Sequence, residues 1–184
     1  MVLEVMGRYA GWIALYAGVS GGADVILIPE VPFCTTASVP RSRSVRSCGK
    51  KFTLVVVAEG AKEKGGEFVT SGAQTKVGEA RLGGISAVVA AEIEKLTGKE
   101  ARNCVLGHLQ RGGSPTTFDR ALCSMFGATA VELIAAEDFG KMVAYQGQQV
   151  GAVPLSEAVG KLKTVKLDGN LIRTARALGI SLGD

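Results

Sequence analysis

The sequence has a single histidine, a single tryptophan and only 5% aromatic residues among 184. Sites built on several imidazoles are therefore excluded. The four cysteines, Cys34, Cys48, Cys104 and Cys123, form no Cys-x-x-Cys pair and no Cys/His metal spacing. That excludes zinc modules and disulfide scaffolds, and a reduced, cytoplasmic setting fits such thiols. Cys104 and Cys123 fall in strand-like and helix-like runs, which predicts buried thiols. No apolar run approaches the roughly 20 residues of a membrane helix. The stretch 12–17 is too short and too close to glycines for a secretory signal core, so no membrane partner is expected. A P-loop, a Ser/His/Asp set and an internal repeat are also missing.

Acid is missing locally. Residues 31–58 hold Arg41, Arg43, Arg46, Lys50 and Lys51 and no Asp or Glu. The overall charge is +4, so the remainder carries −1. The basic stretch has almost no interleaved aromatics on which bases could stack, which argues against a nucleic-acid partner.

What is present suits a globular domain, or part of a larger one. Hydrophobic residues make up 47% of the chain, enough for a core, and 21% charged residues are too few for disorder. Apolar runs at 2–6, 24–28, 52–57 and 103–106 lack strict alternation, as in parallel strands covered on both faces. Helical periods lie at 10–20, 83–96 and 118–135. On the second, Ile85, Val88, Val89 and Ile93 share a face; on the third, Leu122, Phe126, Ala130, Val131 and Ile134 do. Trp12, Phe126 and Phe139 read as core. Strand and helix alternate, so the class is α/β, with a short hairpin near the end (142–145 and 150–153). Residues 61–82 are polar and glycine-containing and read as a long exposed loop.

The run Gly107-His108-Leu109-Gln110-Arg111-Gly112-Gly113-Ser114-Pro115 follows the strand-like 103–106. Paired glycines allow close backbone approach to an oxyanion. Arginine offers a planar fork matched to phosphate, and histidine adds a donor. A surface loop with a chance His and Arg is the alternative. Met6-Gly7-Arg8 and Glu59-Gly60 likewise end apolar strands, where open α/β sheets hold ligands. A solvated helix-start arginine and an exposed strand-end carboxylate are the plainer readings of Arg8 and Glu59.

These runs, with Val2-Leu3-Glu4-Val5 before them, Ala23-Asp24-Val25-Ile26-Leu27-Ile28-Pro29-Glu30 between them, and Asp119-Arg120 and Asp138-Phe139-Gly140-Lys141 after them, resemble the C-terminal half of the 6-phosphofructokinases. The similarity is to the bacterial branch containing both ATP- and pyrophosphate-dependent enzymes. It implies a Rossmann-like three-layer sandwich with a mainly parallel sheet, the C-terminal part of a two-domain fold spanning residues 1–184. It implies binding of fructose 6-phosphate, with its 6-phosphate held by His108 and Arg111 and its hydroxyls by Glu59. Met6 and Gly7 would contact the sugar. Arg8 would bridge sugar and transferred phosphoryl group, as the residue serving transition-state charge. Arg102 would reach the 6-phosphate bound by a neighbouring subunit in a homo-oligomer, a dimer or homotetramer; alone it reads as a solvated cation. The full enzyme would use Mg2+ with ATP or pyrophosphate in glycolysis.

Residues without a counterpart matter as much. The family's glycine-rich nucleotide loop, its Gly-Gly-Asp segment for magnesium and donor phosphate, and its general-base aspartate match nothing here. A fragment or truncated gene model is therefore expected, inactive alone. A non-catalytic sugar-phosphate-binding or subunit-interaction remnant is the alternative. Asp24, Lys50 and Lys51 lie near effector positions of allosteric relatives, but Cys48 replaces a lysine there, so no effector site is assigned. Residues 34–48 have a central proline, no acid and no amphipathic period where a crossover helix is needed. A compensated frameshift and a divergent surface segment both fit that anomaly.

Overall fold

The computed structural model describes residues 1–36, 52–74 and 80–184. Most of the anomalous segment 34–48, and Lys50 and Lys51 with it, lies outside these. The chain forms two compact units, one of Met1–Gln110 with Thr164–Asp184 and one of Arg111–Lys163.

The first unit is built on four parallel strands, β1 (Val2–Val5), β2 (Val25–Leu27), β3 (Val55–Ala58) and β6 (Asn103–Val105), in the order β2-β3-β1-β6. Val2 pairs with Val55 on one side of β1 and with Asn103 on the other. β-branched residues dominate β1 to β3, which suits a pleated, buried surface. Successive side chains point to opposite faces and build two cores. Val5, Ile26, Val56 and Ala58 pack with helices α1 (Trp12–Ser20) and α5 (Asn170–Ala177) through Leu15 and Ile172. Val2, Val25, Leu27, Val55 and Val57 pack with helix α2 (Ile85–Thr97) through Ile85 and Val89. The architecture is thus α/β, helices on both faces of a mainly parallel sheet.

Buried and half-buried carboxylates close this frame. Glu4, 1% exposed in mid-β1, accepts hydrogen bonds from the Gly84 N–H (3.0 Å), the Ser86 N–H (2.9 Å) and the Ser86 hydroxyl (2.7 Å). Gly84, the N-cap of α2, has no side chain to offer, so β1 supplies the acceptor and the negative charge that a helix start favours. Glu30 likewise accepts from the Gly11 N–H at the start of α1 (3.0 Å) and from the Val165 N–H (2.8 Å). Asp24 accepts from the Leu54 N–H (2.9 Å), extending the β2–β3 pairing by one step.

The second unit has helix α3 (Thr117–Ala135), hairpin strands β7 (Lys141–Gln146) and β8 (Gln149–Pro154), and the short helix α4 (Leu155–Val159). Thr116 and Asp119 form a reciprocal capping box at the start of α3. The hairpin turns on Gly147 and Gln148, both with positive φ, as a type I′ turn requires. Helix α3 packs on both strands, and Phe118 meets Tyr145 edge-on at 6.0 Å. No residue of this unit is fully buried.

Several expectations are corrected. Residues 61–82 are not all loop: Thr70–Gln74 (β4) and Ala80–Leu82 (β5) pair antiparallel. Backbone pairing holds this ladder without the apolar alternation that marks strands in sequence. Cys104 and Cys123 are exposed, because β6 lies at the sheet edge and α3 buries none of its residues. For the same reason Val131 and Ile134 are exposed, while Leu122, Phe126 and Ala130 are half-buried. Phe139, at 69% exposure, is not core, and Trp12 is only half-buried against it. On α2, Val88 lies outside the contact stripe and is exposed.

Candidate functional site

Parallel strands bring all their C-terminal ends to one edge. There β1 lies between β3 and β6, so the loops after these three strands are neighbours. They carry Met6-Gly7-Arg8, Glu59-Gly60 and the 3-10 turn Gly107–Arg111. The sheet runs one step further in both directions: the Glu59 N–H donates to the Val5 carbonyl (2.9 Å) and the Leu106 N–H to the Glu4 carbonyl (3.1 Å).

The loop after β1 is sharply bent. Gly7 has φ +147° and Arg8 has φ +49°, a left-handed conformation that costs a non-glycine residue roughly 1–3 kcal/mol. A side chain at Gly7 would meet the Ala10 carbonyl oxygen at 2.6 Å. Gly60 is also obligatory, since a Cβ there would lie 1.8 Å from the Arg8 carbonyl oxygen. The loops after β1 and β3 therefore touch through their backbones. Glu59 fastens them: its Oε1 accepts from the Gly7 N–H (3.2 Å) and the Arg8 N–H (3.0 Å). Among the described residues its Oε2 has no hydrogen-bond partner. Tyr9 packs edge-on against Phe68 at 5.4 Å, and Lys62 Nζ lies 5.1 Å from the Phe68 ring centre. These contacts fold the segment after Glu59 back toward the loop after β1.

The structure thus brings Met6, Gly7, Arg8 and Glu59 together, with His108 on the adjoining turn. Met6, Gly7 and Glu59 are half-buried; Arg8 and His108 are exposed. Arg111 closes the same 3-10 turn and is the first residue of the second unit. Arg102 stands apart. It precedes β6 and so lies at the opposite, N-terminal edge of the sheet, beside a cavity of about 230 Å3 lined also by Met1, Phe52, Ile93 and Lys99. Its guanidinium donates to Glu100 (2.7 Å), and that hydrogen bond, with the accompanying charge, raises its pKa.

Gln110 was not singled out in the sequence. Its Oε1 accepts from the Met6 N–H at 2.8 Å, across 104 residues. The only sequence signal was its place between His108 and Arg111. Among the described residues no three His, Cys, Asp or Glu side chains converge as a metal-ligand set.

What the edge offers is one carboxylate oxygen free of described partners, the exposed donors Arg8 and His108, and tightly held backbone. Such a set suits a polyhydroxylated anion: the carboxylate accepts from hydroxyls and the guanidinium and imidazole N–H groups donate to phosphate oxygens.

A phosphofructokinase family model matches residues 1–134. The chain belongs to the phosphofructokinase family. It is similar to an ATP-dependent 6-phosphofructokinase of Chloroflexus aurantiacus, 50% identical over all of this chain and 50% of that protein. It is also similar, at 50% identity over 90% of this chain and 48% of that protein, to a pyrophosphate–fructose 6-phosphate 1-phosphotransferase of Amycolatopsis methanolica. The chain spans about half the length of these curated relatives. The solved phosphofructokinase of Saccharomyces cerevisiae superposes with a TM-score of 0.72 at 28% identity, covering 97% of this chain and 22% of that one. The pyrophosphate-dependent phosphofructokinase of Nitrosospira multiformis gives 0.72 at 26% identity, covering 100% and 48%. No helix among the described residues is long and apolar enough to cross a membrane.

Proposed function

We propose that this chain is the fructose 6-phosphate-binding part of a 6-phosphofructokinase. The observation carrying this reading is the convergence of three strand-end loops, bearing Met6-Gly7-Arg8, Glu59 and His108, at one sheet edge in a member of this family. The complete enzyme transfers a phosphoryl group from ATP or pyrophosphate to the 1-hydroxyl of the sugar, with Mg2+, in the cytoplasm. The relatives' names include both donors, and nothing among the described residues favours one.

In this reading the Glu59 Oε1 holds the loop after β1 while Oε2 accepts from sugar hydroxyls. Met6 and Gly7 present a surface to the sugar, His108 and Arg111 bind its 6-phosphate, and Arg8 faces the charge that develops during transfer. Arg102, at the far edge, serves a site completed by another subunit of a homo-oligomer. The family's donor and magnesium segments match nothing in this sequence. Phosphoryl transfer depends on aligning donor, metal and acceptor together. The chain by itself therefore binds without turning over, which also fits a sugar-phosphate-binding remnant.

Calorimetric titration of the purified chain with fructose 6-phosphate, beside a coupled assay with Mg2+ and either donor, tests this. Arg111→Ala and His108→Ala are each expected to weaken binding about ten- to a hundred-fold, as for a charge-assisted contact of about 1.5–3 kcal/mol. Unchanged affinity in both would sink the phosphate assignment. Turnover at an ordinary enzymic rate would show that other residues carry the chemistry.

A further inference from the structure

We infer that Gln110 is a positioning residue, coupling the turn that carries His108 to the loop that carries Met6, Gly7 and Arg8. The inference rests on reading this edge as the sugar-phosphate site. Three consecutive N–H groups leave the end of β1, and side chains from both flanking loops take them up. Glu59, after β3, accepts from Gly7 and Arg8. Gln110, after β6, accepts from Met6. Since β1 lies between β3 and β6, the loop is held from both sides. The two acceptors are not equivalent. Glu59 fixes the bent part of the loop, where φ is positive. Gln110 fixes the residue before the bend and ties it to the 3-10 turn that includes His108.

The residue type follows from the site. The Met6 N–H is part-buried and needs an acceptor there. A carboxylate would satisfy it but would add negative charge beside a place read as binding a dianion. A leucine of similar size would leave the donor unpaired. The amide supplies the oxygen without the charge. Gln110 thus acts through Met6 and the turn, and contact with the ligand is not required of it.

The test uses the 184-residue chain, 15N-labelled, with Gln110→Leu and Gln110→Glu. In Gln110→Leu the Met6 amide should exchange with solvent about five- to ten-fold faster, as for one lost hydrogen bond. The Gly7 and Arg8 amides, held by Glu59, should be unchanged. Gln110→Glu should restore slow exchange at Met6, which a general loss of stability would not allow. Fructose 6-phosphate should bind Gln110→Leu about five-fold more weakly than wild type. Equal acceleration of all three amides, or an unmoved Met6 amide, would overturn the inference, as would normal affinity in Gln110→Leu. If that variant fails to fold, Met6 exchange in Gln110→Glu decides: slow exchange supports the role and fast exchange overturns it. If the wild-type chain binds no fructose 6-phosphate, the functional reading fails, and the amide pattern alone decides whether Gln110 sets the loop.

Discussion

The two units solve the burial problem differently. In the first, a four-stranded sheet is covered by the chain's own helices, and Val5, Leu15, Ile26, Val57 and Ile172 are nearly inaccessible. In the second, a helix and a hairpin carry comparable apolar residues, yet Phe118, Val131, Ile134, Phe139 and Val159 are all more than half exposed. A sheet buries both faces only when something lies on each, whereas a helix and a short helical turn on a two-stranded ribbon leave apolar faces open. Local structure is equally regular in both units: capping box, I′ turn and aromatic pair are all present in the second. Regular local geometry therefore does not by itself produce a core.

The comparison breaks most readily at a core position. Ile26→Ala should destabilise the first unit by about 2–5 kcal/mol. Ile134→Ala should change the second by no more than about 0.5 kcal/mol, as for a surface site. Hydrogen exchange read by mass spectrometry in increasing urea separates the two units. A large effect of Ile134→Ala would mean that its face is covered.

A smaller effect is expected from the buried cap. Glu4→Gln turns an amide nitrogen toward N–H donors and should cost about 1.5–3 kcal/mol, visible as earlier urea-induced exchange in α2. No loss would show that the three hydrogen bonds to Glu4 contribute nothing net.

In the second unit, Thr116→Ala removes the α3 cap and should cost about 1 kcal/mol, confined to that helix. The same box predicts a pH dependence. The hydrogen bond from the Thr116 hydroxyl, then the one from its backbone, lowers the Asp119 pKa. A carboxyl with a depressed folded-state pKa stabilises fully above its unfolded value. That contribution is lost as pH falls through the lower, folded value. Exchange at the start of α3 should therefore accelerate relative to the first unit below about pH 4. Asp119→Asn should abolish that difference; its persistence would assign the effect to another group.

The sheet and helices α1 and α2 were legible because burial on both faces leaves continuous Val, Ile and Leu runs, and α2 keeps a helical period; α5, in the closing tail, was not read as a helix. The β4–β5 hairpin was not, since backbone pairing among small and polar residues leaves no hydrophobic signature. Exposure of Cys104 and Val131 was equally hidden: an apolar residue announces that it could be buried, not that a cover exists. The placement of Met6, Gly7, Glu59 and His108 at one sheet edge could be read from their positions at strand ends. Gln110 could not, because its partner is a backbone N–H more than a hundred residues away. Glu4 carried a signal, a lone acid within an apolar strand, whose explanation required knowing that the start of α2 lies beside it.

The most direct test maps amide shifts of the chain as fructose 6-phosphate is added. The expected result is a saturable change at Met6, Gly7, Arg8, Glu59 and His108. Saturable changes that left those residues silent, or none at all in a folded first unit, would contradict the assignment of this sheet edge.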